Sequence, residues 1–491
     1  MHYWFGLRFF IIACLSTMLI GCMVGPDFHS PPVPPIKSYT KCSLPRKTVS
    51  ISTAGKAGKA QYLIAGEDIP GEWWRLFHSR ALNCLIEQGI QHSPNLVAAQ
   101  ATLRQAQETL NAQIGNLLFP SATAQVGGQR QRFSLSTIGS GDTSSIFNLF
   151  NASVNVAYTL DVFGGSRREI EALRAQVDYE HYELIAAYLT LTANITTTAI
   201  NIASLKAQIK ATKQLIKAEE SQLAIIQKQF QLGGVSNENV LSQQTLLAQS
   251  RALLPPLEKN LAQSRHALAV LIGVFPSESE LPQITLESLN LPSHIPISVP
   301  SNLVRQRPDV QAQEALLHEA SAQIGVATAN LFPQFTLSGN YGWSATAPNQ
   351  LLSSRTVTWL YGGQILQPLF KGGALFAQRR AAIAAYQVTD AQYRQTVLQA
   401  FKNVADSLRA LQDDARAFRA QKQAEDAALR SLILIRGQYR LGGASYLSLL
   451  NAQEQYQQTV ISRVQAQAAR YQDTAALFQS LGGGWWNHAC I

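Results

Sequence analysis

The sequence predicts an internally duplicated chain of mixed α and β structure. Three observations predict this fold class: the same landmarks recur in order in both halves, four segments alternate apolar with small polar residues, and the long stretches that follow contain no proline. Proline is absent between Pro120 and Pro255 and again after Pro368. Because proline breaks helix interiors, these stretches can hold unusually long helices. We therefore expect each half to contain a helix, two strands, a very long helix, a Gly-Gly turn and a final helix.

The repeat sets the domain organisation. Residues 96–120 and 309–333 share a Gln, a Leu and a closing Leu-Phe-Pro at a constant offset of 213, and a Gln-x-x-Leu-Gly-Gly-x-Ser motif recurs at an offset of 209. Landmarks in a fixed order indicate a duplication. We expect a first structural repeat over 80–275, a Pro-rich connector over 276–302, a second structural repeat over 303–482 and a tail over 483–491.

The longest helices are expected from Ser166 to about Gln231 and from residue 374 to residue 440. At 1.5 Å per residue, roughly 66 residues span on the order of 100 Å. A helix of that length cannot bury an apolar stripe inside a compact domain, so these helices should pack side by side as a coiled-coil-like wall. Glycine tolerates positive φ at a helix end, which predicts two helix-turn tips. They lie at Gly233 and Gly234, and at Gly442 and Gly443.

Four strands are expected at about 121–131, 148–161, 334–344 and 356–368. Val154, Val156 and Tyr158 share one face of the second strand. Segments of about ten residues with this alternation are typical of transmembrane barrels, although a soluble sandwich uses the same alternation. Four strands cannot close a barrel, and open edges in hydrocarbon would leave backbone groups unpaired. The simplest closure is a barrel of twelve strands shared by three copies, while the sequence alone also permits two or four copies.

Residues 1–21 are predicted to be a lipoprotein signal peptide. Arg8 precedes an apolar run that is too short to span a bilayer and that ends in Leu19-Ile20-Gly21-Cys22. This ending resembles the bacterial lipobox, in which the cysteine is acylated and becomes the new N-terminus. An ordinary signal peptide with an incidental cysteine is the alternative. Two or more acyl chains anchor a protein stably. We expect residues 22–79 to hold the lipid anchor on Cys22 and an extended Pro-rich tether.

Charge and cysteine content narrow the possible functions. The net charge is +9, but the basic residues are scattered without an accompanying aromatic cluster, so no nucleic-acid partner is expected. The densest basic feature is a stripe on one helical face, expected to be solvated and alternatively a partner contact. It consists of Lys206, Lys210, Lys213 and Lys217.

The sequence leaves open whether two of three further cysteines form a disulfide. These are Cys42, Cys84 and Cys490.

Catalytic motifs do not accompany these features. Gly55-Lys-Ala-Gly-Lys59 lacks the spacing of a phosphate-binding loop, neither H-E-x-x-H nor G-x-S-x-G occurs, and the nine His residues are dispersed. The cysteines lack C-x-x-C spacing, and the three Met residues form no cluster. We therefore expect no enzymatic activity, no metal site and no cofactor other than the covalent lipid.

Several motifs resemble the outer-membrane efflux protein family, the TolC-like channels, and in particular its lipoprotein branch serving RND-type tripartite efflux pumps. They are the Cys22 lipobox, Glu72-Trp73-Trp74 followed by Phe77, Arg305-Gln-Arg-Pro-Asp309, and the segment from Tyr439 to Gln453. The resemblance implies a homotrimer with a twelve-stranded β-barrel in the outer membrane, a long periplasmic α-helical barrel and a mixed equatorial belt. It assigns the belt to 40–79, 276–302 and the C-terminal tail.

The same resemblance implies a function and partners. The chain would be a passive exit duct for small molecules such as drugs, anchored by lipid in the outer membrane and extending into the periplasm. An inner-membrane RND-type pump would supply the energy through a periplasmic adaptor protein. Two alternatives stay open: a periplasmic coiled-coil adaptor, against which the four strands argue, and the exit duct of a type I protein secretion system.

The periplasmic entrance departs from the family pattern. Acidic residues often follow the helical turns at this narrow end of the family's channels, whereas the matching positions here are Asn239, Ser448 and Asn451. Tyr439 matches an aromatic residue that helps to constrict the entrance, and Glu238 could partly replace the missing charge. Rings of acidic groups favour cations. We therefore expect a weaker cation preference at the entrance of this chain.

Overall fold

A computed structural model describes residues 23–41, 45–134, 144–278 and 280–487, which divide into two compact units. Among these residues, the first unit combines 23–31, 102–180 and 312–393, and the second combines 32–101, 181–311 and 394–487. The predicted signal peptide and the predicted lipid-attachment residue Cys22 lie outside the described residues, as do Cys42 and Cys490. Cys84 is exposed and carries a free thiol. None of the described helices combines the length and the apolar character needed to cross a membrane.

The order of elements repeats in the two halves. The α-helices are α1 (Arg80–His92), α2 (Pro94–Leu118), α3 (Gly165–Gln231), α4 (Asn237–Ala252), α5 (Leu254–Leu271), α6 (Pro300–Gln306), α7 (Pro308–Ala329), α8 (Ala374–Arg440) and α9 (Tyr446–Ser480). The strands are β1 (Tyr62–Ala65), β2 (Ser121–Ser134), β3 (Ser144–Leu160), β4 (His294–Ile297), β5 (Gln334–Ala345) and β6 (Val357–Leu366). Short 3-10 helices cover Ser52–Gly58, Trp73–Phe77, Leu286–Ser288, Pro348–Gln350, Ser354–Thr356 and Trp485–Asn487. This order confirms the predicted duplicated fold of mixed α and β structure.

The long helices have the predicted length, but the first repeat ends differently from the second. α3 and α8 contain 67 residues each. After the first turn, α4 ends at Ala252 and α5 begins at Leu254, whereas α9 runs unbroken for 35 residues. Pro255 and Pro256 explain the interruption, because proline clashes with the preceding helical turn but fits the first turn of a new helix. The single closing helix expected in the first repeat is therefore two helices.

The first unit contains an antiparallel sheet of four strands in the order β2-β3-β5-β6. The central pair, β3 with β5, joins the two repeats and sets Asn155 opposite Asn340. The strands lie close to their expected positions, although β2 continues to Ser134 and β3 begins at Ser144. Within the described part of one chain, β2 and β6 each have one edge without a strand partner.

The two faces of this sheet differ in polarity. Val154, Tyr341 and Trp359 are cross-strand neighbours on one face, and 48%, 53% and 64% of their surfaces are exposed. On the opposite face, the side-chain amide of Asn340 donates a hydrogen bond to the side chain of Asn155. A continuous exposed apolar surface marks contact with a membrane or a partner. The alternation of residues thus produces one apolar face and an opposite face that is mostly polar, with Leu360 of β6 exposed beside Asn340.

The second unit buries the aromatic residues that follow the Pro-rich segment. Trp73, Trp74 and Phe77 lie in one short 3-10 helix and are at most 1% exposed. Trp73 packs against Phe478 and Phe77 against Tyr471, with ring centroids 5.7 Å and 6.3 Å apart. Aromatic pairs at such distances stabilise beyond the area that they bury. These contacts fasten α9 to the segment that precedes α1.

Segments that are distant in sequence meet beside this aromatic core. β1 pairs in parallel with β4, with Ile64 opposite Pro296. Arg470 of α9 is 1% exposed, and its guanidinium donates to the carbonyl oxygens of Ala57 and Lys59 at 2.6 Å and 2.7 Å. A buried charge requires such hydrogen bonds to offset its lost hydration. The bonds tie the residues before β1 to the closing helix α9.

Candidate functional site

Both helix-turn tips reverse the chain with one glycine in the left-handed region. After α3, Gly233 has a φ of 74°, and the Gly234 amide donates to a carbonyl of the last turn of the helix at 2.8 Å. After α8, Gly442 has a φ of 75°, and the Gly443 amide makes the equivalent bond at 2.8 Å. A residue with a Cβ atom would be strained at Gly233 or Gly442. The two repeats therefore turn by the same backbone geometry.

Four helices pack together beneath the tips. Ile226 near the end of α3, Leu432 near the end of α8 and Leu449 in α9 are buried in one cluster with apolar side chains of α4. Tyr446 belongs to the cluster, and Tyr439 packs against its ring with centroids 5.6 Å apart. Because the cluster draws on both repeats, the apolar side chains hold the ends of the two helical hairpins together.

The five residues predicted for the entrance fall into two groups. Glu238, Ser448 and Asn451 are exposed. Asn239 and Tyr439 are half-buried and line a common groove next to the tips. The groove thus brings together a residue that follows the first turn and one that precedes the second. The other three residues lie outside its lining.

Two of the exposed residues also serve helix ends. The backbone amide of Ser448 donates to the hydroxyl oxygen of Ser445 at 3.1 Å, and the two hydroxyl oxygens lie 2.8 Å apart. Ser448 therefore takes part in capping α9. Glu238 stands in the first turn of α4, where a negative charge interacts favourably with the helix dipole. Capping is a role for Ser448 that its place in the family's acidic pattern does not indicate.

A buried carboxyl group lies below the tips and was not among the predicted site residues. Glu219 of α3 is 1% exposed. Its Oε1 accepts a hydrogen bond from the Ser250 hydroxyl at 3.0 Å, while its Oε2 has no hydrogen-bond partner among the described residues. Burial raises the pKa of Glu219 to about 7, against the opposing effect of the Ser250 bond. This carboxyl group therefore changes its charge close to neutral pH.

Further hydrogen bonds connect Glu219 to the second repeat. The side-chain amide of Gln243 in α4 donates to the backbone carbonyl of Glu219 at 3.3 Å, and the Tyr446 hydroxyl donates to Oε1 of Gln243. The sequence offers no signal for this network. The adjacent Glu220 is the same residue type, yet it is exposed and pairs with Arg251 at 2.7 Å. Only the burial of Glu219 distinguishes the two, and burial depends on how α4 and α9 pack.

A cavity of about 240 Å³ adjoins Glu219. Its wall is largely apolar and includes Leu215, Leu432 and Ile461 as well as the polar Gln453. Within the described ranges, no group of His, Cys, Asp or Glu side chains could hold a metal ion. The arrangement therefore offers one titratable carboxyl group beside an apolar cavity.

The residues directly after the predicted lipid-attachment position form a docked segment, residues 23–28, called the N-terminal arm below. Arg168 of α3 is 1% exposed, and its guanidinium donates to two backbone carbonyls of the arm and, at 2.7 Å, to Asp27. The amide of Val24 donates to the carbonyl of Phe163, where β3 leads into α3, at 3.1 Å. Hydrogen bonds to charged groups are stronger than neutral ones. The segment expected to be an extended tether is thus fixed against the first unit.

Close packing holds the same arm. A Cβ atom on Gly25 would lie 2.4 Å from the Cα of Gly325 in α7, so this close approach of the two backbones requires glycine at position 25. A Cβ atom on Gly325 would instead lie 2.7 Å from the side chain of Arg168. Phe28 stacks on His318 of α7 with ring centroids 4.4 Å apart. His318 in turn lies 2.9 Å from Glu171 of α3. Since α3 and α7 belong to different repeats, the arm contacts both repeats at once.

A match to a protein-family model shows which family this chain belongs to. The model described as outer membrane efflux protein matches residues 85–274 and 299–483, one match in each half of the duplication. The chain belongs to the outer membrane efflux protein family. The helical tips, the four-stranded sheet and the N-terminal arm are therefore features of a member of this family.

Curated relatives match most of the chain. The pyoverdine export outer membrane protein OpmQ of Pseudomonas aeruginosa is 28% identical over 441 residues, which cover 88% of this chain and 92% of the relative. Nodulation protein T of Rhizobium leguminosarum bv. trifolii is 27% identical over 96% of both chains. The cation efflux system protein CusC of Escherichia coli is 26% identical over 96% of this chain and 98% of its own length.

Solved structures share the fold. The outer-membrane channel OprN has a TM-score of 0.84 and 26% identity, and the match covers 94% of this chain and 100% of that chain. The open-state outer membrane channel MtrE of Neisseria gonorrhoeae has a TM-score of 0.80 at 23% identity, and this likeness concerns the fold alone. The matches confirm the predicted resemblance to TolC-like channels, the fold class and the function as an outer-membrane channel component of an efflux system.

Proposed function

We propose that this efflux channel component is one protomer of a homotrimeric, passive exit duct for small molecules. The four-stranded sheet of the first unit carries the proposal, because it has an apolar exposed face and, within the described part of one chain, two edges without a strand partner. In hydrocarbon, each unpaired backbone group costs several kcal/mol. Three copies would join twelve strands into a closed barrel and would bring α3 and α8 of every copy around one axis.

The energy for export is proposed to come from partners. Relatives are named for unlike cargoes: pyoverdine export, toluene efflux and cation efflux. Similar chains thus serve different cargoes, which favours selection of the cargo by another component. We assign this chain to a tripartite system in which an inner-membrane RND-type pump drives export and a periplasmic adaptor protein connects the pump to the helical end of the duct.

The lipid on Cys22 is proposed to anchor the chain beside the strands. The N-terminal arm supports this assignment, since Arg168 and Gly325 fix the residues that follow Cys22 close to the carbonyl of Phe163. An acyl chain starting there would enter the bilayer near the end of β3. Each buried CH₂ group would contribute about 0.8 kcal/mol. The lipid attaches the chain to the outer membrane, while the strands make the crossing.

Unheated gel electrophoresis of outer-membrane fractions tests the duct. We expect a detergent-resistant species of three times the protomer mass that conducts ions in planar bilayers. A Cys22→Ala variant behind a non-lipoprotein signal peptide should lose the mass of the acyl chains and keep both the trimer and the conductance, because the strands alone cross the membrane. A form that is soluble without detergent and lacks conductance would instead support a periplasmic adaptor.

A strain that lacks the gene for this protein distinguishes a duct for small molecules from a duct for type I protein secretion. If the chain exports small molecules, its loss should lower the inhibitory concentrations of several toxic compounds, and the intact gene should restore them. If it serves type I secretion, its loss should remove a protein from the culture medium and leave those concentrations unchanged. The proposed partners are tested by reconstituting this protein with the purified pump and adaptor of the same cell.

A further inference from the structure

The lysine stripe of α3 lines a groove that the proposed duct does not use. The groove has a volume of about 440 Å³ and an apolar floor that includes Ile209, which is 8% exposed, and Leu261 of α5. At 1.5 Å per residue, its basic rim is about 16 Å long. The rim consists of Lys206, Lys210, Lys213 and Lys217.

Most of the rim lacks acidic partners. Lys213 pairs with Glu258 of α5 at 3.0 Å, and both side chains are about half exposed. Within the described residues, the ammonium groups of Lys210 and Lys217 form no ion pair. A single exposed ion pair contributes little and is screened by salt. The rim therefore keeps a positive charge that its own surroundings do not neutralise.

Lys206 closes one end of the groove in a half-buried position. Its ammonium donates to the neutral side chain of Gln283 at 2.9 Å. Burial, together with the nearby charge of Arg265, lowers the pKa of Lys206. A further positive charge beside an already basic rim adds to its potential. Arg265 thus strengthens the attraction for negative charge at this end of the groove.

In the second repeat, acidic residues neutralise the corresponding face of α8. At the offset of 209 between α3 and α8, the four lysines correspond to Ala415, Arg419, Lys422 and Asp426. There Lys422 pairs with Glu425 at 3.0 Å and with Asp426 at 2.8 Å. Because α8 forms an equally long helix without the row, the row is not a requirement of the helix. Its presence in one repeat alone points to a use outside the fold.

We propose that this groove binds the acidic face of an amphipathic helix from a second protein. Lysines spaced at i, i+4, i+7 and i+11 form a row on α3, and carboxylates at the same spacing on another helix form a matching row. The floor at Ile209 and Leu261 accommodates an aliphatic side chain of that helix. A polyanionic glycan matches the charge but gains nothing from an apolar floor, so the helix fits better.

Fluorescence anisotropy with the full-length protein in detergent tests this site. The probe is a labelled synthetic helix with Glu at i, i+4, i+7 and i+11 and one Leu on the same face. We expect binding at an ionic strength of about 0.15 M. The double variant Lys210→Glu/Lys217→Glu should weaken binding by at least about tenfold, because the attraction of the exposed rim is reversed.

Matched variants separate a located site from general charge attraction. Lys228→Glu/Lys371→Glu makes the same change in net charge away from the groove and should leave binding within about twofold. Lys217→Asp copies the neutralised second repeat and should weaken binding by itself. Equal weakening by the control pair, or no binding of the probe to the wild type, would overturn the proposal.

Two further readouts make the result specific. Dextran sulfate should compete poorly against the helical probe; equal affinity would indicate general polyanion binding and overturn the assignment to a helix. The substituted lysines are exposed, so every variant should keep its trimer on unheated gels and its conductance. If a variant no longer binds the probe but still conducts ions, the substitution has changed the groove alone. If the wild type does not conduct ions, the result contradicts the proposed duct, and the groove is judged separately by probe binding.

Discussion

Two adjacent glutamates of α3 show how packing decides the charge of a residue. Glu220 is exposed and pairs with Arg251, whereas Glu219 is 1% exposed and has one carboxyl oxygen without a hydrogen-bond partner among the described residues. An ionised carboxylate in such surroundings loses hydration that one hydroxyl donor does not replace. The proton on Glu219 is therefore held more tightly in the folded chain than in the unfolded one.

The substitution Glu219→Gln is expected to stabilise the folded chain more at about pH 8 than at about pH 5. The folded-state pKa of about 7 exceeds the ordinary value of 4.5, so between these values the folded chain binds a proton that the unfolded chain has released. This stabilisation is complete below pH 4.5 and is lost as the pH rises through 7. The introduced amide would keep an oxygen for the Ser250 hydroxyl and carry no charge.

Thermal unfolding of the detergent-solubilised protein at both pH values measures the effect. Glu220→Gln is the matched control, because its carboxylate is exposed and its removal should change the two melting temperatures alike. A gain from Glu219→Gln that does not depend on pH would contradict the assigned titration.

If the residues predicted for the entrance line it, the channel should have weak ion selectivity. Asn239, Ser448 and Asn451 are neutral, and Glu238 supplies an exposed carboxylate next to the first tip. Acidic rings favour cations, so a ring with one carboxylate per protomer should prefer them only modestly. Reversal potentials of single channels in a salt gradient measure this preference, and Glu238→Gln should reduce it further. Strong cation selectivity that disappears only with Glu238→Gln would contradict the neutral entrance.

Among the elements, the N-terminal arm differs most from its sequence-based expectation. Pro26 in the arm and the prolines at 31, 32, 34 and 35 that follow it exclude helix and central strand, which is why an extended segment could be predicted. Its docking could not be predicted, because Arg168 lies 141 positions from Asp27 in sequence and the Gly25–Gly325 approach has no local pattern. Periodicity reports on neighbours in sequence, whereas this site is made by neighbours in space.

Arg168→Ala is expected to release the N-terminal arm. The variant removes every side-chain bond that Arg168 makes to the arm and leaves Asp27 without this partner. Hydrogen exchange followed by mass spectrometry is the measurement, since the amide of Val24 is bonded to the carbonyl of Phe163 in the docked arm. Exchange of the peptide containing Val24 should accelerate by about tenfold or more, as expected for loss of a few charged hydrogen bonds.

Arg379 of α8 provides the control for this experiment. Its guanidinium donates to the hydroxyl of Thr328 in α7 at 3.2 Å, so Arg379→Ala removes an arginine bond to the helix that the arm contacts and should leave the exchange of Val24 unchanged. Gly325→Val, whose added side chain would collide with the side chain of Arg168, should reproduce the effect of Arg168→Ala. Protection of Val24 that survives both arm variants would show that the arm is held by other contacts.

For the whole molecule, the sequence predicts the fold more completely than the sites. The duplication, the proline-free stretches and the alternating strands are local or repeated patterns, and the structure has 67-residue helices and strands close to the expected positions. The break before Pro255 was not predicted, although a local residue type marks it. The network from Tyr446 through Gln243 to Glu219 has no such local mark, because it requires the register of three helices against one another.

The apolar face of the sheet allows a test of the whole assembled duct. Trp359 of β6 is 64% exposed on that face, and Thr358 points to the opposite face. An arginine on the lipid-facing side of a membrane barrel costs about 2–4 kcal/mol near the bilayer midplane. Trp359→Arg should therefore strongly reduce the detergent-resistant trimer in outer-membrane fractions. Thr358→Arg adds the same charge on the polar face and should preserve the trimer while changing its single-channel conductance.

The pair of variants distinguishes a membrane barrel from a soluble sheet with the same alternation. In a closed barrel, residues that follow one another in a strand face lipid and lumen in turn, so moving one charge by one position should reverse its effect on assembly. In a water-exposed sheet, both substitutions would leave the exposed face hydrated, and both variants would assemble alike. Equal assembly would remove the reason for closing the two open edges with strands of other copies, and the trimer proposal would then rest on the helices alone.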